Sequence, residues 1–244
     1  MELIATHENK EIYRDGDARI KLFHAEIPLH TVLREALGQA QAQETDLPVP
    51  ALREVTKQDD RWAIISDFIE GEDLAALLHK NSEKETEYLT LFVELQTRVH
   101  SWQAPMLTKQ REVLQRAISA SGLDATTRYE LHTRLDAMPR HSKLCHGDFV
   151  PSNIILKGGT PYIIDWARVT QGNAAGDAAN TYLILAQHSE ALADSYRKIY
   201  CEASDTARQY FDKWLPIAAG AALADCLPED RAFYEKYCVS VHGY

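Results

Sequence analysis

The chain has 244 residues, 45% apolar and 25% charged, enough for a substantial core in one large domain or two small ones. Its formal charge is −10 with no Lys/Arg cluster, which excludes an ordinary nucleic-acid binder. No apolar run approaches the ~20 residues of a membrane span, residues 1–10 are too polar for a signal peptide, and the four cysteines lack CxxC spacing, which fits a reducing cytoplasm rather than a zinc site or disulfide framework.

Short strands are predicted over residues 2–5, 11–13 and 18–23, with Asp15-Gly16 turning the chain between the last two. Residues 29–42 read as a helix with Leu29, Val32, Leu33, Ala36, Leu37 and Ala40 on one apolar face. Leu47-Pro48-Val49-Pro50 ends it, and residues 52–55 and 62–66 pair as strands around a polar turn at 57–61. Past Gly71 the periodicity becomes helical, over 73–79, 84–102, 108–120 and 125–138. A hairpin then intervenes, with strands at 153–156 and 161–165 around Gly158-Gly159, before helices at 177–188, 189–202, 206–222 and 229–239. A small sheet followed by a larger helical part is an α+β arrangement, with its seam at 67–71.

The chemistry concentrates in Cys145-His146-Gly147-Asp148-Phe149-Val150-Pro151-Ser152-Asn153 and in Tyr162-Ile163-Ile164-Asp165-Trp166. Asp148 and Asn153 are five residues apart, Asn153 and Asp165 twelve. Phosphoryl transfer from ATP uses such a set. One carboxylate, Asp148, orients the attacking hydroxyl and accepts its proton, while Asn153 and Asp165 offer hard oxygens to Mg²⁺. Read singly, Gly-Asp is a common turn pair, an aspartate can cap a strand, and Cys145 is a buried bystander. Asp165 nevertheless closes an apolar strand, where a charge is costly unless paired or metal-bound. A metal-dependent hydrolase would need more histidine or carboxylate ligands near the motif.

This pattern resembles the catalytic core of the aminoglycoside phosphotransferase and choline kinase superfamily. The resemblance implies a protein-kinase-like bilobal α+β fold. Residues 1–66 would form a nucleotide-binding lobe with a small antiparallel sheet and one helix, 67–71 a hinge, and 72–244 a mainly helical lobe with the catalytic loop and acceptor site. It implies ATP and Mg²⁺ as cofactors and, as partner, a small-molecule hydroxyl acceptor resembling an aminoglycoside, amino alcohol or sugar. In such folds a strand lysine, here Lys21, reaches the α/β-phosphates and pairs with a helix glutamate. Glu35 is the expected partner, with Glu26 and Glu44 competing. Asp67, Phe68 and Ile69 in the hinge would offer backbone groups to the adenine. His146 would be structural, hydrogen-bonding backbone near Asp165. Gly147 replaces an arginine common in protein kinases, Trp166-Ala167 follows Asp165 in place of Phe-Gly, and no Ala-Pro-Glu follows, so a small-molecule kinase is expected over a protein kinase. Gly176-Asp177-Ala178-Ala179 resembles a further family element, with Asp177 expected as a helix N-cap.

Two features depart from that pattern. There is no glycine-rich phosphate loop, so the turn Thr6-His7-Glu8-Asn9-Lys10 would cover the phosphates through backbone N–H groups, Asn9 or Lys10. Alternation also puts Arg19 on the face of Lys21, where kinases keep a small apolar residue. Either its stem lies along the pocket, the strand bulges, or nucleotide binding is weakened. These departures leave a nucleotide-binding pseudokinase as the alternative. Asp194, Asp225, Glu229 and Asp230 are acidic residues of the C-terminal part that could face an acceptor, and none is singled out.

Overall fold

The computed structural model describes residues 1–239. Its first elements are β1 (Glu2–Thr6), β2 (Lys10–Asp15), β3 (Ala18–Phe23), α1 (Leu29–Gln43), β4 (Leu52–Gln58) and β5 (Arg61–Asp67). Between β4 and β5, Asp59 and Asp60 both take left-handed φ values, 47° and 64°, as a tight hairpin turn matched to strand twist requires. A short β6 (Glu72–Asp73) leads into α2 (Leu74–Lys80), which Asp73 caps by accepting from the Ala76 N–H at 2.8 Å. Then follow α3 (Glu85–Ser101), α4 (Gln110–Ala120), α5 (Ala125–Ala137), β7 (Lys143–Cys145), the hairpin β8 (Ile154–Lys157) and β9 (Thr160–Ile163), and β10 (Thr170–Gly172). The last helices are α6 (Ala174–His188), α7 (Glu190–Ala203), α8 (Arg208–Asp212), α9 (Leu215–Ala222) and α10 (Arg231–Val239). The fold class is α+β, as expected.

Packing divides the chain into two compact units, the first comprising Met1–Asn81 and Pro151–Val169. Its five-stranded antiparallel sheet has the order β1-β2-β3-β5-β4, and β6-β8-β9 make a second, three-stranded sheet. α1 covers the large sheet through Val32 and Ala36, which pack with Phe23 and Ile64 and with the partly buried Ile27, Leu52, Val55 and Trp62. The face of α1 is not the one periodicity predicts. Leu29, Leu33 and Leu37 are 39%, 47% and 42% exposed, whereas Val32, Glu35, Ala36, Gly38, Gln39 and Ala42 are buried. The helix is rotated because two polar side chains have partners inside: Glu35 meets two lysines, and Gln39 Nε2 donates to the Pro50 carbonyl at 3.0 Å.

The second unit comprises Ser82–Val150 and the described residues from Thr170 onward. Here α3, α6, α7 and α8 bury an aromatic core, with the Phe92 ring 4.7 Å from Phe149 and 5.8 Å from Tyr196, and the Phe211 ring 5.9 Å from Tyr200 and 6.1 Å from Tyr182. The fully buried Gln96 is satisfied by Thr181 at 3.1 Å and by the Tyr196 hydroxyl at 2.6 Å. One helix expected over 206–222 is two, α8 and α9. Pro216 has no N–H to continue the first and sits in the opening turn of the second. No helix among the described residues is long and apolar enough to cross a membrane.

Candidate functional site

In the sheet-bearing unit, four charged side chains from distant parts of the sequence converge. Lys21 on β3 forms an ion pair with Glu35 on α1, and its Nζ lies 2.7 Å from Asp165 Oδ1. Lys10, at the start of β2, bonds both Glu35 oxygens at 3.0 and 2.9 Å. Of the competing glutamates, Glu26 is exposed beside His24 and Glu44 is exposed at the C-cap of α1. Burial alone would raise the Glu35 and Asp165 carboxyls, but Lys21 and Lys10 more than offset it and hold both below the usual range. Burial and the neighbouring Lys21 charge hold the Lys10 ammonium below its ordinary value.

Local geometry explains how Asp165 arrives there. After β9 the chain turns through Asp165 in the left-handed region, φ 63°, into the short helical turn Trp166–Arg168. That turn packs against α1 at Gly38, where an added Cβ would lie 2.2 Å from Val169 Cγ1 and 2.8 Å from the Trp166 carbonyl oxygen. Only glycine permits this approach, which sets Asp165 beside the end of Lys21. Asn153 closes the turn Pro151–Asn153, and its carbonyl accepts the Ile164 N–H at 2.9 Å, fastening it next to the residue that precedes Asp165. Both proposed metal ligands therefore belong to one hairpin. An ionised carboxylate offers about four lone-pair sites, so its bond to Lys21 leaves Asp165 capacity for a hard cation, and the Asn153 amide offers a second oxygen.

In the expected hinge, the Asp67 N–H donates to Ala51 at 2.9 Å and the Phe68 N–H to Asp17 at 2.8 Å. Asp67 Oδ1 accepts from Arg53 at 2.7 Å, and the Arg14 guanidinium lies over the Phe68 ring at 4.3 Å.

Asp148 belongs to the helical unit, where its loop hangs from a buried carboxylate. Asp177 accepts the His146 N–H at 3.1 Å and the Gly147 N–H at 2.8 Å, while His100 Nε2 lies 3.0 Å from its Oδ2. Burial would raise Asp177, but His100, His146 and the Gly147 N–H together hold it down. Gly147 has φ 82°, a value that suits glycine and bends the chain so that both N–H groups reach one carboxylate. The Asn180 side chain donates to the Gly147 carbonyl at 3.1 Å, and the Asp148 N–H donates to His146 Nδ1 at 3.3 Å. Asp177 is thus not the helix cap. α6 begins earlier, at Ala174, and Asn173 caps it by accepting the Ala175 N–H at 3.0 Å.

Sequence reasoning missed His100 and the loop-holding role of Asp177; the Tyr200 hydroxyl, 3.2 Å from His100 Nδ1, extends that chain. It also missed Lys10 as a second partner for Glu35. His100, Cys145 and Asp177 bring donor atoms within 4.8 Å of one another, yet a metal there would displace the bonds that hold the loop, and burial keeps the Cys145 thiol protonated. Of the acidic residues considered for the acceptor, Asp194 is engaged by Arg197 at 2.6 Å and Tyr182 at 3.1 Å.

The chain belongs to the phosphotransferase enzyme family, whose model matches residues 8–213. A search of curated proteins found no match. Among solved structures, a thermostable mutant of aminoglycoside phosphotransferase APH(4)-Ia is 15% identical, with 99% of this chain and 94% of that one covered and a TM-score of 0.70. ADP-bound aminoglycoside phosphotransferase APH(2'')-Ib is 17% identical, with 98% and 90% covered and a TM-score of 0.66. Choline kinase LicA from Streptococcus pneumoniae is 14% identical, with 100% and 93% covered and a TM-score of 0.68. A mutant of APH(4)-Ia is also known in a ternary complex with AMP-PNP and hygromycin B.

Proposed function

We propose that this phosphotransferase moves the γ-phosphoryl group of ATP onto a hydroxyl of a small acceptor such as an aminoglycoside, amino alcohol or sugar. The observation that carries the reading is Lys21 held between Glu35 and Asp165, which presents a fixed ammonium beside a carboxylate suited to a metal. The nucleotide complexes of the fold relatives support ATP as donor, and their hygromycin B and choline kinase examples support a small acceptor.

In this reading residues 1–66 bind the nucleotide, 67–71 are the hinge, and 72–244 carry catalysis and the acceptor. Because the Asp67 and Phe68 N–H groups are already engaged, Ile69 supplies the hinge donor to the adenine. Lys21 steadies the α/β-phosphates, with Glu35 fixing its position. Asn153 and Asp165 would hold Mg²⁺, which when bound neutralises phosphate charge. Asp148 takes the proton of the acceptor hydroxyl as the new O–P bond forms and the bond from the γ-phosphorus to the bridging oxygen breaks, releasing ADP. Catalysis rests on positioning and charge neutralisation, and the bonds from Asp177 that anchor the loop serve the former. Four free cysteines support a reducing, cytoplasmic setting.

The test is ADP release from ATP·Mg²⁺ against aminoglycosides, choline, ethanolamine, homoserine and simple sugars, with Asp148→Asn as control. Acceptor-dependent release that falls at least ~100-fold in the variant supports the reading. A second reading, a nucleotide-binding protein without turnover, is favoured by Lys10 occupying Glu35 and by Arg19 beside Lys21. Nucleotide binding with no release from any acceptor would select it.

A further inference from the structure

β3 carries a second cation on the face of Lys21. The strand pairs without a register break, Arg19 opposite Arg14 and Ser66 and Lys21 opposite Ile12 and Ile64, so no bulge turns Arg19 away. Its guanidinium is half-buried and makes no hydrogen bond or ion pair among the described residues. Its neighbour Arg14 is engaged by Glu70 and the Gly16 carbonyl. Three cations (Lys10, Arg19 and Lys21) thus face two carboxylates (Glu35 and Asp165), in a chain whose formal charge is −10. A partly buried charge with no partner is costly, and the excess calls for an anion.

Two of the groups expected to hold phosphates have partners within the protein. In the β1–β2 turn the His7 N–H donates to the Lys10 carbonyl at 2.8 Å, and the Lys10 ammonium is bound by Glu35. A guanidinium presents a planar fork of donors that matches two phosphate oxygens at once. We infer that Arg19 binds the phosphates of the nucleotide, a role that in kinases with a glycine-rich loop falls to that loop. Arg19 is then a determinant of donor affinity. Burial pulls its guanidinium down from the ordinary range while the fields of Asp165 and Glu35 pull it back, which places it within their electrostatic reach.

The inference rests on the nucleotide-binding reading above, and its test separates the two. Calorimetric titration of ADP·Mg²⁺ and of adenosine would compare the native chain with Arg19→Ala and Arg19→Gln, each checked for folding by thermal melting; Arg19→Gln retains most of the side-chain stem should the alanine variant fail to fold. The expected result is a roughly ten- to hundred-fold loss of ADP affinity with adenosine affinity changed less than about threefold. Unchanged ADP affinity in a folded variant overturns the inference and leaves the nucleotide reading standing. Equal losses for ADP and adenosine also overturn it, because Arg19 would then serve the base or the pocket wall. Failure of the native chain to bind either ligand removes both readings.

Discussion

The two clusters solve opposite electrostatic problems. In the sheet-bearing unit, Lys10, Lys21, Glu35 and Asp165 are gathered from β2, β3, α1 and the turn after β9, and Arg19 on β3 adds a cation within reach of both carboxylates. In the helical unit a single carboxylate, Asp177, collects two backbone N–H groups and a histidine, and among the described residues no lysine or arginine bonds it. The first arrangement retains charge that a ligand can neutralise. The second satisfies its donors internally and holds a loop in one shape. A transfer reaction needs both kinds of site, one for polyphosphate charge and one for fixed geometry.

The largest expected effect therefore lies in the helical unit. Asp177→Asn removes the charge opposite His100 and weakens both backbone bonds in a fully buried place, and should cost about 3–5 kcal/mol in urea unfolding. Glu35→Gln should cost less, about 1–3 kcal/mol, because Lys21 keeps Asp165 as a partner and the amide oxygen can still accept from Lys10. Equal costs would erase the distinction between a charge store and a scaffold.

Acid sharpens the comparison next. Asp165 is held below its unfolded value of about 3.9 by Lys21 and Lys10, against the upward push of burial. Its contribution to stability is accordingly full above about pH 5 and is lost as pH falls through the unfolded value towards the folded one. Asn tolerates the left-handed backbone at this position, so Asp165→Asn removes the charge without added strain. The native chain should be the more stable at pH 7, and its advantage over the variant should shrink by about 1 kcal/mol on descent to pH 3, because the unfolded carboxyl takes up its proton over that range while the folded one stays ionised. An advantage independent of pH, in denaturant titrations at both values, would mean that Asp165 is not held ionised by the lysines.

The legible parts of the molecule were those written in short-range spacing. The strands and most of the helices follow local alternation and turn chemistry. The Lys21–Glu35 ion pair was also readable, because a strand lysine followed by a helix glutamate is an ordered pattern. Lys10 was not, because nothing local marks a lysine that bonds a carboxylate 25 positions away. His100 meets Asp177 across 77 positions, and its own helix shows only an amphipathic stripe. Asp177 was misread because the alanines and glycine of the first turn of α6 carry no periodic signal, which hid the true start at Ala174.

α1 shows the same limit in miniature, and yields the smallest effect. Apolar periodicity counts leucines, whereas the helix is oriented by the partners of Glu35 and Gln39 and by the close approach at Gly38. Two neighbouring truncations test which force sets the face. Val32 is fully buried against Phe23 and Ile64, so Val32→Ala should cost roughly 1–2 kcal/mol from lost burial and the space left behind. Leu33 is 47% exposed, and Leu33→Ala should stay within about 0.5 kcal/mol. Chemical denaturation of both variants decides it. A larger loss at Leu33 than at Val32 would return the helix to the face its leucines predict, and would turn Glu35 away from the lysines on which the charge cluster depends.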